Sequence, residues 1–417
     1  MDISKKFYGN RLIAQGIFVS DNTFVTQLNN NDMIIGPSGA GKTGGYVAPL
    51  IIYSNTSMII TDTKGNLAKN YGKYLERRGF KVQTLNFVDP ESSCGYNPLD
   101  YIGRDRRGRY SEKDIKTISE ALVQSYDDED KFWSDSARTV VETLIAFVLE
   151  NLPEEEHNLA SLVEVYRLME SQSSPNGVEF LNEVELLYPE SITARRYSTF
   201  KKVLAADRTW GCINQFVTNA LNKFYVGEIM EMLQKGSGFR FETIGRTPTV
   251  LFVNVSDSDR SLDGLVNIFY TQCLQMLIKE ADRNADNRLR VPVRLVLDDF
   301  AASTIIPDFD NLISIIRSRD IYVSVILQSL TQLDSKYGYN KARTIINNCD
   351  HIIYLGGSDK ETCDYIANRS GLTPDKIMYM PLDKEIMIER GCRGRFVDKV
   401  KPYFFSENAD NTEKTMG

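Results

Sequence analysis

The octapeptide Gly36-Pro-Ser-Gly-Ala-Gly-Lys-Thr43 constrains this chain more than any other stretch. It follows the apolar run Met33-Ile34-Ile35 and precedes a helix-compatible stretch, 44–53. G-x-x-x-x-G-K-[ST] between a strand and a helix is a phosphate-binding loop, and the complete Gly-Lys-Thr ending separates it from a chance glycine-rich match. Its glycines let successive backbone N–H groups turn inward at a helix N-terminus, whose partial positive charge favours anions. Gly36, Ser38, Gly39, Ala40, Gly41, Lys42, Thr43 and Gly44 would hold the phosphates of a nucleoside triphosphate. Lys42 would reach the β/γ-phosphates and the Thr43 hydroxyl would bind Mg²⁺.

Strand-like runs alternate with helical patterns on both sides of this loop. Candidate strands are 32–35, 57–61, 80–86, 248–255, 293–298, 321–327 and 351–355, several of them continuously apolar. Such runs suit strands buried on both faces of a parallel sheet, and the alternation implies βαβ units in a doubly wound α/β domain. Residues 105–240 break the rhythm with helical patterns alone, so an all-helical domain is expected there, inserted between residues 1–104 and 241–405 of the nucleotide-binding domain. The polar tail 406–417 reads as disordered.

Composition removes several function classes. A net charge of −7 argues against a globally basic protein that coats DNA, while leaving local basic stripes open. Cys94, Cys212, Cys273, Cys349, Cys363 and Cys392 form no Cys-x-x-Cys pair and read as reduced, buried residues. Two histidines, His157 and His351, do not support a histidine-based scheme, and His351 opens a strand-like run as a structural residue. The apolar stretch Thr139 to Leu149 contains Glu142 and is too short to cross a bilayer, so the chain as given reads as soluble.

A second half of the site is legible downstream. Arg294-Leu-Val-Leu-Asp298-Asp299 is an apolar strand ending in two acids. A phosphate-loop ATPase needs one strand-end carboxylate to hold Mg²⁺ and often another to orient the attacking water, roles that suit Asp298 and Asp299. Gln328, at the end of the 321–327 run, could contact the γ-phosphate or the water without adding charge. Parallel sheets place ligands outside the carboxyl ends of their strands, where Gly36, Asp62, Asp298 and Gln328 all fall. A solvated acidic turn and a polar cap are the plainer readings of these residues taken singly.

The set Gly36–Thr43, Thr61-Asp-Thr-Lys-Gly65, Tyr96-Asn-Pro-Leu99, Phe132-Trp133, Leu297-Asp-Asp-Phe-Ala301 and Ile326-Leu-Gln-Ser-Leu-Thr-Gln-Leu333 resembles type IV secretion coupling proteins, the TraG/TraD-like conjugation ATPases. The resemblance extends through Asn347-Asn-Cys-Asp350 and Ser358-Asp-Lys-Glu361. It implies a RecA-like domain with a mostly parallel central sheet and an inserted all-α domain, ATP and Mg²⁺ as cofactors, and a homo-hexameric ring. It also implies relaxase–DNA or effector cargo, DNA contact, and a secretion channel at the cytoplasmic face of the bacterial cell membrane. Arg317 matches the arginine that acts on a neighbouring subunit's nucleotide; a solvated helix end is its plainer reading.

Two departures stand out. The family's usual N-terminal transmembrane anchor has no counterpart here, so it has been removed or this member lacks it. The second acid is usually Glu and here is Asp299, whose carboxylate is drawn back by one C–C bond of about 1.5 Å. Two further readings therefore stay open: a DNA translocase of the FtsK/HerA kind, and a docking receptor with little ATPase activity. Arg195-Arg196-Tyr197, Lys201-Lys202 and Arg208-Thr-Trp210 interleave bases with aromatics as a nucleic-acid surface can, or as a solvated helix face.

Overall fold

The structure, a computed structural model, describes residues 7–123, 131–171, 178–204, 206–300 and 305–401. The expected tail at 406–417 and the final residue of the Leu297–Ala301 motif lie outside them. The chain resolves into two compact units, Met1–Thr84 with Phe241–Asp257 and Leu274–Gly417, and Leu85–Arg240 with Ser258–Cys273.

The first unit opens with an antiparallel hairpin, β1 (Asn10–Ala14) and β2 (Ile17–Ser20). The main sheet contains β3 (Asp32–Ile35), β4 (Ser57–Asp62), β5 (Lys81–Asn86), β6 (Thr249–Asn254), β7 (Val293–Leu297), β8 (Ile321–Leu327), β9 (His351–Tyr354), β10 (Lys384–Glu389) and β11 (Arg395–Asp398). Their order is β11-β10-β9-β3-β8-β7-β4-β6-β5. From β9 to β6 every described pairing is parallel, while β10 and β11 add antiparallel. Each residue of β3, β4, β6, β7 and β8 is buried, which is why these strands read as unbroken runs rather than alternating ones.

The expected strands all form, within a residue or two of their expected ends. The hairpin and the β10–β11 edge are additions. Lys384-Glu-Ile-Met-Ile-Glu389 carries charge at both ends, and β11 is a four-residue, mostly exposed strand. Short edge strands carry weak apolar signals because one side meets solvent.

The second unit is helical. Its principal helices are Glu112–Leu122, Lys131–Asn151, Leu159–Ser171, Glu179–Leu187, Ile192–Leu204, Asp207–Leu221 and Gly227–Gln234. The unit also takes in 85–104 and Ser258–Cys273, beyond the span 105–240 that periodicity marks. Aromatic burial ties those segments in. Tyr96 is fully buried, stacks on Phe239, meets Phe269 edge-on, and donates its hydroxyl proton to Gln272 Oε1 at 2.6 Å.

The basic–aromatic series in this unit is largely engaged internally. Arg195 and Arg196 pair with Glu112 at 2.6 and 3.1 Å, Arg196 also reaches Glu142, and Lys201 pairs with Glu185 at 2.5 Å. Tyr197 is buried, and Trp210 stacks on Phe200. These contacts favour the plainer reading, a charged helix face, for that series.

Candidate functional site

The phosphate loop leaves β3 where the sheet brings its neighbours' carboxyl ends together. Ile35 lies opposite Leu327 on one side and Tyr354 on the other, and Gly36 N–H donates to Leu327 O at 3.1 Å. Gln328 therefore follows the residue beside the loop's first glycine. Gly36 is required by crowding: a Cβ there would fall 2.9 Å from Leu355 Cβ and 3.0 Å from Ala40 Cβ. Gly39 and Gly41 have φ of 79° and 95°, the left-handed region that favours glycine.

Lys42 is buried, not the exposed loop residue that its position suggests. Its Nζ donates to Gly36 O at 2.8 Å and Pro37 O at 3.1 Å, so the cation rests curled over its own loop. A phosphate oxygen arriving in the loop would compete with those two carbonyls for the same protons.

Asp298 follows β7, and its buried carboxyl accepts hydrogen bonds from the Thr43 side chain and from Asp299 N–H, the latter at 3.0 Å. Burial pushes this carboxyl up to about 6, the Asp299 charge adds to the push, and Lys42 and the Thr43 hydroxyl oppose it. A hydroxyl on a buried carboxylate is a hard oxygen pair of the kind Mg²⁺ prefers, and a dication would relieve the burial that raises Asp298. The residues fit that ion.

Asp299 has φ 47°, a left-handed conformation that Asp tolerates better than most residues, at a cost of roughly 1–2 kcal/mol. The turn brings its Oδ1 to 3.3 Å from Gln328 Nε2, which donates to it, while Gln332 Oε1 accepts from Gln328 N–H at 3.3 Å. The expected acid and amide thus come together beside the phosphate loop. Backbone strain of this kind clusters at functional sites.

Two expected participants stand apart. Asp62 ends β4, but its oxygens accept from Lys64 N–H and Leu67 N–H and so anchor the following turn. Arg317 precedes β8 and lies at the opposite end of the sheet from its own phosphate loop, about 20 Å away along a seven-residue strand. It is exposed, with Nη2 donating to Gln27 O at 3.0 Å. At that distance it cannot reach its own phosphate loop.

Other recognised motifs serve the scaffold. Asp359 caps the helix Lys360–Ser370 by accepting from Thr362 N–H, and Asp350 accepts from Asn29 N–H at 2.7 Å. His351 is fully buried with Nδ1 3.1 Å from Asp32, as a structural histidine should be.

Residues 2–373 match the family described as Type IV secretory system Conjugative DNA transfer. The chain belongs to that family. Similarity to individual members is distant but long. The probable conjugal transfer protein TraG of Sinorhizobium fredii is 21% identical over 366 residues, covering 84% of this chain and 53% of the relative. The chain spans about half the length of the curated relatives it matches. The bacterial conjugative coupling protein TrwBdeltaN70, unbound, superposes with a TM-score of 0.70 at 15% identity, covering 97% of this chain and 91% of that one. The plasmid coupling protein TrwB in complex with ADP and Mg²⁺ gives 0.66 at 16% identity, with 91% and 87% covered. The likeness shows a RecA-like phosphate-loop fold with a mostly parallel sheet. Among the described residues, no helix of this family member is long and apolar enough to cross a membrane.

A group missed by sequence reasoning sits beside the loop. A cavity of about 1040 Å³ is lined by Pro37, Ala40, Leu355, Met380, Glu385 and Lys399, among others. Glu385 and Lys399 come from the β10–β11 edge, more than three hundred residues from the loop, and no motif marks them.

Proposed function

We propose that this chain is an ATP-driven coupling protein that recruits relaxase–DNA or protein cargo and delivers it to a type IV secretion channel. Family membership supports the coupling role, and the contact of Thr43, Asp298, Asp299 and Gln328 around the phosphate loop carries the hydrolytic part. A related coupling protein holds ADP with Mg²⁺ and, in another crystal, a GTP analogue, so the fold accepts either purine nucleotide.

In this reading the loop N–H groups wrap the phosphates and Lys42 leaves Gly36 O and Pro37 O to meet the β/γ-oxygens. Thr43 and Asp298 would hold Mg²⁺, which offsets charge on the phosphates when bound. Asp299, fixed by Gln328, orients the attacking water and accepts its proton. Gln328 also offers an uncharged N–H toward the γ-phosphoryl group. In a homo-hexamer Arg317 reaches the neighbour's nucleotide, where a guanidinium offsets the charge spreading over the transferred group. In this reading the protein works at the cytoplasmic face of the membrane.

Steady-state ATP hydrolysis by assembled protein, with and without single-stranded DNA, tests this directly. Lys42→Ala should lower turnover at least about a hundredfold without unfolding the protein, since removing one charge-stabilising donor typically costs that much. Asp299→Asn should bind ATP but hydrolyse it poorly, and Asp299→Glu should preserve or raise turnover. Normal hydrolysis by folded Lys42→Ala would overturn the assignment.

A second reading draws on Asp299 itself. The shorter acid, turned back onto Gln328, suits a nucleotide-dependent docking receptor with little turnover. Cargo that co-purifies in an ATP-dependent way from a protein with negligible hydrolysis would select it.

A further inference from the structure

The cavity beside the phosphate loop has one feature that phosphate chemistry does not use. Glu385 lines it, is 2% exposed, and leaves its Oε1 buried without a hydrogen-bond partner. A buried acceptor with no donor costs free energy, so such a group calls for a partner, and one that lines an open cavity can find it in a bound molecule. The strand register fixes where this one lies. Ile386 pairs with Tyr354, so Glu385 stands beside Leu355, the residue whose side chain presses on Gly36. β10 is two strands from β3, roughly 10 Å at ordinary strand spacing. That is the reach of a nucleoside beyond phosphates seated in the loop. The walls between are apolar and suited to a flat ring: Pro37, Leu355, Met378, Met380 and Leu382.

We propose that this cavity takes the purine base of the bound nucleotide and that Glu385 reads the hydrogen-bonding edge of the base. The inference rests on the nucleotide-binding reading above and adds the choice of base to it. A protonated carboxyl presents one donor and one acceptor, which complements adenine N1 and the adenine amino group. An ionised carboxylate presents two acceptors, which complements guanine N1–H and its amino group.

Burial pushes the Glu385 carboxyl up to about 8, with Lys399 opposing, so the adenine-matching form prevails at neutral pH. The surrounding charges leave that bias in place. Lys399 Nζ donates to Leu355 O at 2.8 Å and Ala40 O at 3.5 Å, and burial lowers its own pKa. Asp398 is paired with Lys384 at 2.5 Å, Asp383 is the acid preceding β10, and Lys42 is held at its loop carbonyls. The neighbouring β9 contributes Tyr354, whose hydroxyl is engaged with Gly357 O at 3.1 Å.

The test is competition of unlabelled ATP and GTP against a ribose-labelled fluorescent nucleotide, one pH unit below and one above about 8, with inorganic tripolyphosphate as a base-free probe. The wild-type protein should prefer ATP by about tenfold or more at the lower pH, the discrimination that a bidentate base contact supplies. That preference should shrink or reverse at the higher pH. Glu385→Gln carries one donor and one acceptor permanently, and should prefer ATP equally at both pH values. Glu385→Ala should bind ATP and GTP alike. Tripolyphosphate should bind all three proteins equally.

If wild type, Glu385→Gln and Glu385→Ala all bind through Lys42 with the same ATP:GTP ratio at both pH values, the base assignment falls and the phosphate site stands. If neither nucleotide nor tripolyphosphate binds, or Lys42→Ala changes nothing, the nucleotide-binding reading itself falls. Should Glu385→Ala fail to fold, the pH dependence of wild type against Glu385→Gln still decides.

Discussion

The two ends of the parallel strands hold buried acids in opposite electrostatic states, Asp32 at the start of β3 and Asp298 just past the end of β7. Asp32 begins the strand, fully buried between Arg11 Nε at 2.7 Å, Arg294 Nη1 at 3.2 Å, the Tyr46 hydroxyl at 2.6 Å and His351. Burial pushes its carboxyl upward, but the Arg11 and Arg294 guanidiniums overcome that and hold it well below the ordinary range. Asp21 completes the group, 3.1 Å from Arg11 and 3.3 Å from Arg294, so two cations meet two anions. At the other end Asp298 is less completely buried, and burial, helped by the Asp299 charge and opposed by Lys42, pushes its carboxyl up to about 6. Burial is common to both, and the partner decides the outcome. At the starting end the charges are complete, two against two; at the carboxyl end two acids stand together where a cation would relieve them.

Breaking the complete end should have the largest effect. Asp32→Ala leaves two buried guanidiniums short of an anion and should cost about 3–5 kcal/mol, the range for one partner removed from a buried ion pair. Asp298→Asn, measured by the same denaturant titration without ligand, should be neutral or mildly stabilising at pH 7. It should nonetheless abolish Mg²⁺-dependent hydrolysis. Equal destabilisation by the two would erase the contrast.

Opposite pH slopes sharpen it further. Asp298 has its pKa raised on folding, so its contribution is fully present below about 4 and is lost as pH rises through about 6. Asp32 has its pKa lowered, so its contribution is present above about 4 and is lost as pH falls below that. Thermal melts of wild type and Asp298→Asn between those limits should converge toward the acid side, with Asn the more stable at pH 6 and above. Saturation with Mg²⁺ and ATP should abolish the Asp298 slope.

The smallest stability effect is expected at Arg317, exposed at the same end of the sheet as Asp32 but outside its cluster. Arg317→Ala should leave the melting temperature nearly unchanged while lowering hydrolysis in assembled protein. Mixing Arg317→Ala with Lys42→Ala subunits should restore part of the activity, because some interfaces then pair an intact loop with an intact arginine. Co-assembly without recovery would count against action in trans.

What local chemistry dictates was legible along the chain. Backbone crowding and left-handed turns demand glycine in 36–41, burial on both faces demands unbroken apolar strands, and a strand-end pair of acids marks where a sheet presents oxygen ligands. Each of these signals spans only a few residues, so Lys42, Thr43, Asp298, Asp299 and Gln328 could be picked out before any folding was considered. Tertiary structure alone decided what those residues meet. It curled Lys42 over its own carbonyls, turned Asp62 into an anchor, and set Arg317 at the far end of the sheet. It also brought Arg11, Asp32, Arg294 and His351 into one buried cluster and carried Glu385 to the loop. The reason is physical. A buried charge is tolerated or raised according to partners drawn from distant strands, and no periodicity within a segment records which strand will lie beside it.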